Sequence, residues 1–334
     1  MKSIDKQKLT KVLENWGKEY DIIAPVESHG SVLFSKWSSN KKINLKKNTD
    51  VSPKEIFFPR TEKLYEYQLD KENVKITAVS PTQEEFIVFG IKPCDLHALD
   101  MLDDVFLNGE FVDIHYKAKR EKAIIVAYLC SVPERTCFCT SLGINYQEAK
   151  SADIVIFEDG DYIAFAHQTE RGEKLLAKVA LLLDDVNLEI SKFQEQELKV
   201  DGEGLDVKLL DLFEHPFWDE AHEKCIGCGV CTYVCPTCHC FDMNSQSRGK
   251  AGFKTRCWDS CMFPDYTLMA GGHNPRPTIK ERFRNRFLHK LQYFPEKHGE
   301  FMCVGCGRCI SKCPVNVDIT AIIAQLKGVN VNGN

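Results

Sequence analysis

Two cysteine runs in this chain have the spacing of iron–sulfur ligands. Residues 225–236 read CIGCGVCTYVCP and residues 303–314 read CVGCGRCISKCP. Each is C-x2-C-x2-C-x3-C-P, the bacterial ferredoxin run. Three thiolates at short intervals, with Gly227 and Gly229 or Gly305 and Gly307 between them, let the backbone curl around three corners of a cube. Glycine keeps side chains away and accepts positive φ, which frees loop amides to donate to sulfur. The fourth cysteine, followed by Pro, points away from its own loop and serves the other cluster. The spacing therefore assigns Cys225, Cys228, Cys231 and Cys313 to one [4Fe–4S] cluster, and Cys303, Cys306, Cys309 and Cys235 to a second. A zinc knuckle needs only one C-x2-C pair from each of two loops, so the doubled run favours cubes.

Of sixteen cysteines, twelve lie between Cys225 and Cys313. The first 220 residues hold only Cys94, Cys130, Cys137 and Cys139. Two apolar, β-branched runs, FIVFGI at 86–91 and AIIVAYL at 123–129, have the length of buried strands. Cys94 follows the first, and Cys130, Cys137 and Cys139 follow the second. In open α/β sheets ligands bind at the carboxyl edge of the strands, so these four thiols are candidates for a third iron–sulfur cluster. Buried unliganded cysteines and a zinc site are the alternatives. For Cys238, Cys240, Cys257 and Cys261, soft packing beside a cluster is preferred over another metal. Cys257 and Cys261 are spaced to share a helix face. His239 lies between two cysteines without needing to be a ligand, and His273 follows a glycine pair as in a tight turn.

The elements that must position these residues read as a mixed α+β fold. An N-terminal α/β domain spans 1–200, with the candidate third site, and a helical two-cluster ferredoxin domain spans 215–334. A polar helical link, EISKFQEQELKVDGEG, joins them. Leu9, Val12, Leu13 and Trp16 repeat at helical spacing, SVLF at 31–34 is β-rich, and Asp95 is placed to cap a helix through Leu96, Leu99, Leu102 and Phe106. Phe283, Phe287 and Leu291 mark one face of a helix between the two motifs. The same segment carries Arg276, Lys280, Arg282, Arg284, Arg286, Lys290 and Lys297. That stripe is a solvated face, or it offsets the charge of thiolate-ligated clusters or docks an acidic partner.

Composition narrows the function. With 43 Lys plus Arg against 48 Asp plus Glu, the formal charge is −5 and gives no sign of a nucleic-acid partner. No apolar run reaches the ~18–20 residues of a membrane span, and MKSIDKQKLTKVLENWG lacks a signal peptide's apolar region, which predicts a cytoplasmic protein with reduced thiols. No G-x-G-x-x-G follows either apolar strand, no Walker A, G-x-S-x-G or H-E-x-x-H is present, and no flavin or NAD site is found. Asp103–Asp104 and Asp184–Asp185 lie on polar segments and read as surface. Nothing here predicts a general acid, base or nucleophile. The simplest expectation is an electron conductor between active sites on other subunits. The rivals are an enzyme with substrate at an open iron of the N-terminal site, and a non-redox scaffold held together by metal.

The strings CIGCGVCTYVCPTCHCFD, CWDSCMF, AGGHNPRP and CVGCGRCISKCP, with KPCDLHALDMLDDVF, CFCTSLG and FFPRTEKL upstream, resemble the beta subunit of cytosolic sulfhydrogenases. They equally resemble the dicluster iron–sulfur subunit of anaerobic sulfite reductase. The similarity covers roughly residues 30–325. It implies an iron–sulfur subunit beside a flavoprotein of the ferredoxin-reductase type that binds NAD(P)H. It also implies a terminal catalytic partner: a nickel–iron hydrogenase, a siroheme sulfite reductase or a heterodisulfide-reductase-like module. All eight ferredoxin-type cysteines carry over. Cys94, Cys130, Cys137 and Cys139 fall in family-like motifs, which implies a shared site without naming its metal. Cys257 falls outside the pattern.

Overall fold

The computed structural model describes residues 1–71, 73–80, 84–186 and 194–330. Its strands are β1 (Lys2–Asp5), β2 (Asp21–Ser28), β3 (Ser31–Lys36), β4 (Thr61–Leu69), β5 (Val74–Ala78) and β6 (Phe86–Ile91). They continue with β7 (Ala123–Tyr128), β8 (Ile154–Asp159), β9 (Tyr162–His167), β10 (Asp184–Asp185), β11 (Phe241–Arg248) and β12 (Ala251–Trp258). The mixed α+β reading holds.

The uncharged apolar runs become the centre of an eight-stranded sheet ordered β10-β1-β9-β8-β7-β6-β2-β3. β2, β6, β7 and β8 pair in parallel, so β6 and β7 are covered on both faces, which is why they tolerate no charge. Alternation sorts their side chains. Val88 and Ile125 pack with Leu96, Leu99, Leu102 and Phe106 of the helix Pro93–Phe106. On the opposite face Ile87, Phe89, Ile124 and Val126 pack with Val12, Leu13 and Trp16 of the helix Leu9–Trp16.

A second sheet, β11-β12-β4-β5, is antiparallel throughout. It joins a hairpin from the first quarter of the chain to one lying between the two ferredoxin-type motifs. Arg256 on β12 is buried against Glu62 on β4, at 2.6 Å, and against Asp113. Trp258 stacks on Phe58, with ring centroids 6.0 Å apart. Cys257 therefore lies on a strand and Cys261 in the turn beyond it, not on one helix face. The expected link falls partly on 187–193, outside the described residues. Residues 194–200 are irregular, and a short helix follows at Leu205–Lys208.

Between the motifs, Thr278 and Glu281 form a capping box for the helix Ile279–Leu288, a π-turn follows at His289–Tyr293, and a further helix runs over Phe294–His298. Arg282, Arg284, Arg286 and Lys290 are buried, so the solvated-face reading fails for this stretch of the basic stripe. Asp95 also departs from expectation. Lys92 holds the cap position, and Asp95 sits in the first helical turn, buried and paired with Arg308 of the second motif. Arg308 meets Asp95 through two bonds of 2.6 and 2.7 Å, and its Nε donates to Thr49 O at 2.7 Å.

Removing one member of a buried ion pair leaves an uncompensated charge and costs ~3–5 kcal/mol, whereas removing both costs far less. Asp95→Ala should therefore lower the guanidinium midpoint of the anaerobically purified protein by that equivalent. Asp95→Ala with Arg308→Leu should recover a large part of it. An unchanged midpoint in the single variant would show that the pair does not hold the second motif in place.

Candidate metal centres

Each ferredoxin-type loop folds as its glycines permit. Gly227 and Gly229 have φ of 68° and 74°, and Gly305 and Gly307 have 58° and 73°. The amide of Gly227 bonds the Cys225 sulfur, and that of Gly305 bonds Cys303. Each loop then closes into a single helical turn, Val230–Tyr233 and Arg308–Ser311.

The structure brings Cys225, Cys228, Cys231 and Cys313 to one apolar cavity, whose lining includes Phe283, Phe287 and Arg286. Cys309 of the other loop reaches the same wall. Cys303, Cys306 and Cys309 are grouped around Cys235, which is close enough to oppose the ionisation of each. Burial pushes all three thiols up, Cys309 to about 12. Cys235 is the exception and lies well below the usual thiol range. The Cys238 thiol hydrogen-bonds to it, and the ammonium groups of Lys290 and Lys54 lie beside it.

The four N-terminal cysteines also meet. Cys94 opens the helix after β6, and Cys130 follows β7 at the same sheet edge. Cys139 lies within electrostatic reach of Cys94, Cys137 and Cys130. Burial raises all four, Cys139 to about 11. Asn48 Nδ2 lies 3.4 Å from Cys137 Sγ and 3.3 Å from Cys306 O, and Gln196 Nε2 lies 3.0 Å from Cys139 Sγ. Phe138 N–H donates to Gly305 O at 2.8 Å. This third group therefore lies against the Cys303–Cys309 loop.

Cys238, Cys240 and Cys261 fill the space beside Lys54 and the first motif. Cys240 bonds Cys261 and the Tyr266 hydroxyl, and the first of these contacts leads in drawing its thiol down to about 6. Cys257 stands apart, with its Sγ 4.0 Å from the Thr255 hydroxyl. His239 is held neutral by burial, down to about 4, with Nδ1 3.1 Å from Thr237 O. The carbonyl of His273 accepts from Met269 N–H and closes the glycine turn.

Among the described residues no three His, Cys, Asp or Glu side chains converge on one ion. The surroundings fit an anionic group. Arg286 is 5% exposed, and its Nε has no hydrogen-bond partner. The groups that favour its charge are Cys231, Cys309, Cys238 and Cys235. Lys290 and Lys54 are each 2% exposed. Lys290 Nζ donates to Cys235 Sγ at 3.3 Å, Thr237 Oγ1 at 2.9 Å and Met302 O at 3.1 Å. Lys54 Nζ donates to Cys238 O at 2.7 Å and Thr232 O at 3.3 Å, and lies 4.3 Å from the Trp258 ring centroid. Lys54, Asn48 and Gln196 belong to no motif, and no spacing in the sequence marks them.

Residues 224–317 match the family model described as a 4Fe-4S dicluster domain. Over 318 residues the chain is 32% identical to sulfhydrogenase 2 subunit beta of Pyrococcus furiosus, with 92% of each chain covered. No solved structure matches. Among the described residues no helix is long and apolar enough to cross a membrane.

The contact between the third group and the second loop leaves no room for a side chain. A Cβ on Gly305 would come within 2.5 Å of Cys139 N, and its φ already disfavours other residues. Gly305→Ala should push the loop off residues 138–139. Metal-free protein carrying this change should alkylate faster with iodoacetamide at Cys137 and Cys139, as mapped by mass spectrometry. Unchanged rates would mean that the contact does not shield them.

Proposed function

The chain belongs to the sulfhydrogenase beta-subunit family, and from that premise we propose that it is the iron–sulfur relay between an NAD(P)H-linked flavoprotein and a terminal catalytic subunit. The terminal subunit is a hydrogenase, sulfite reductase or heterodisulfide-reductase-like module, and the complex works in the cytoplasm. Cys225, Cys228, Cys231 and Cys313 hold one [4Fe–4S] cluster, and Cys303, Cys306, Cys309 and Cys235 hold a second. Cys94, Cys130, Cys137 and Cys139 hold a third. These residues divide between the two domains proposed from the sequence, 1–200 and 215–334. Bound clusters supply one-electron storage and transfer.

One observation carries this reading: the three cysteine groups form a continuous row. Cys309 reaches the cavity of the first group, and Cys306 O lies 3.8 Å from Cys137 Sγ of the third. At one end Cys228 is exposed and Ile226 beside it is 59% exposed. At the other, Cys130 is half-buried, while Cys303 and Cys306 in the middle are buried. The protein's own work is to hold the thiolates, to exclude water from the middle of the row with Phe138, Met302 and Val304, and to leave its ends reachable by partners. Bond making is assigned to the partner subunits, since clusters of this kind pass single electrons.

Iron and acid-labile sulfide on the anaerobically purified complex should give about twelve irons for this chain. Cys137→Ser with Cys139→Ser should bring that to about eight. Iron unchanged by this pair would remove the third cluster from the proposal. Cys225→Ser with Cys313→Ser should remove the first cluster and stop NAD(P)H-driven reduction of the terminal subunit. Normal turnover in that variant would sink the relay.

A further inference from the structure

We infer that Lys290 and Lys54 are tuning residues that raise the reduction potential of the centre held by Cys235, Cys303, Cys306 and Cys309. This inference rests on the ligand assignment proposed above. Adding one electron to a four-thiolate cluster adds one negative charge, and in a buried site that charge is opposed by desolvation. Hydrogen bonds to the ligand sulfurs, nearby charge and exposure to water set how strongly it is opposed. Water has little access to this group, because Cys235, Cys303 and Cys306 are buried and Cys309 is half-buried. The compensation therefore has to come from the protein.

Two lysines on unconnected elements supply it. Lys290 comes from the π-turn between the motifs, and Lys54 from the short helix Lys54–Phe57 in the N-terminal part of the chain. Lys290 Nζ has three acceptors for its three N–H bonds: Cys235 Sγ, Thr237 Oγ1 and Met302 O. That arrangement fixes an ammonium group, since a neutral amine has only two hydrogens to give. Thr237 passes its own hydrogen to Met302 O at 2.8 Å, so its oxygen is free to accept from Lys290. Lys54 is held by two carbonyls and an aromatic face, all of which favour a cation. The anionic groups nearest to both lysines are cysteines.

The two other groups lack this device. The first group has Arg286, which it shares with the second, and an edge open to solvent at Cys228. Beside the third, Arg308 is neutralised by Asp95, and Lys92, buried and with its charge reaching Cys130 and Cys137, bonds Asn48 Oδ1 and Lys46 O and no sulfur. Direct donation from an ammonium group to a ligand sulfur occurs, among the described residues, only at Cys235. The central position in the row is thereby made the favourable resting place for an electron, with the exposed ends serving for entry and exit.

The test is an EPR-monitored redox titration of the complete complex, purified anaerobically, with iron determined on every sample. Lys290→Met should shift the midpoint of one cluster signal to lower potential and leave the others in place, with iron content retained. Lys290→Arg, which keeps the charge, should stay near the wild-type midpoint. Lys54→Met should shift the same signal in the same direction by less. It keeps the inference testable if Lys290→Met fails to assemble, because Lys54 bonds backbone carbonyls and no ligand sulfur. Full iron with an unmoved midpoint in whichever of the two Met variants assembles, or an equal shift of every signal, would overturn the inference. Cys303→Ala separates this from the ligand assignment. It should abolish the signal that Lys290→Met moves, and loss of a different signal would fault the assignment and not the tuning.

Discussion

Positive charge buried without carboxylate partners is the constraint around which the cysteine-rich half of this protein is organised. Taking an ammonium or guanidinium group out of water costs several kcal/mol even after relaxation. Lys54, Arg286 and Lys290 are each buried, and the anionic groups beside them are thiols. Two of those thiols, Cys303 and Cys309, are pushed by burial toward their neutral form when metal-free, Cys309 to about 12. A metal removes the conflict, since coordination deprotonates a thiol outright. Four thiolates then give the cations something to balance. The free energy of metal binding in such a site adds to folding free energy, so loading stabilises this half of the chain.

The same loops carry the geometric constraint. Gly305 and Gly307 lie so close to residues 136–139 that a Cβ on either would meet backbone within 2.6 Å. A cluster loop is thus pressed directly onto the carboxyl edge of the N-terminal sheet, where β6 and β7 deliver Cys94 and Cys130. Arg308, one residue beyond Gly307, fastens the approach through Asp95 and Thr49. Sheet edge, glycine contact and ion pair all act on the same few residues. The distance between the second and third cysteine groups is therefore set by rigid elements, not by the chain that connects them.

Much of this was legible in the sequence. The C-x2-C-x2-C-x3-C-P runs speak through local spacing, and the loops form where that spacing puts them. FIVFGI and AIIVAYL have the length and β-branched content of buried strands, and both form them. What was not legible depends on tertiary partners. β11, FDMNSQSR, is polar and exposed along its length, so no alternation marks it as a strand; its pairing with β12 does. Asp95 reads as a helix cap until Arg308, more than two hundred residues away, claims its carboxylate. Lys54, Asn48 and Gln196 touch cysteine sulfur or the backbone beside it from segments without any motif. The basic stripe from 276 to 297 looks like a solvated face because sequence alone cannot show buried sulfur opposite it.

The π-turn explains how one helix can serve both the core and the cysteines. An α-helix places Phe283, Phe287 and Leu291 along one face and turns Arg286 and Lys290 toward another. At His289–Tyr293 the hydrogen bonds skip one residue farther, which widens the turn and rotates the residues beyond it. Lys290, Leu291 and Gln292 within this turn are all buried. Apolar side chains from this segment close the C-terminal core, while Lys290 Nζ reaches Cys235 Sγ. Met302 N–H donates to the carbonyl of Lys290 at 2.9 Å, so the widened turn also anchors the stretch of chain that leads into Cys303. Lys290 sits inside the widened turn, so one short segment both packs apolar side chains into the core and delivers an ammonium group to sulfur.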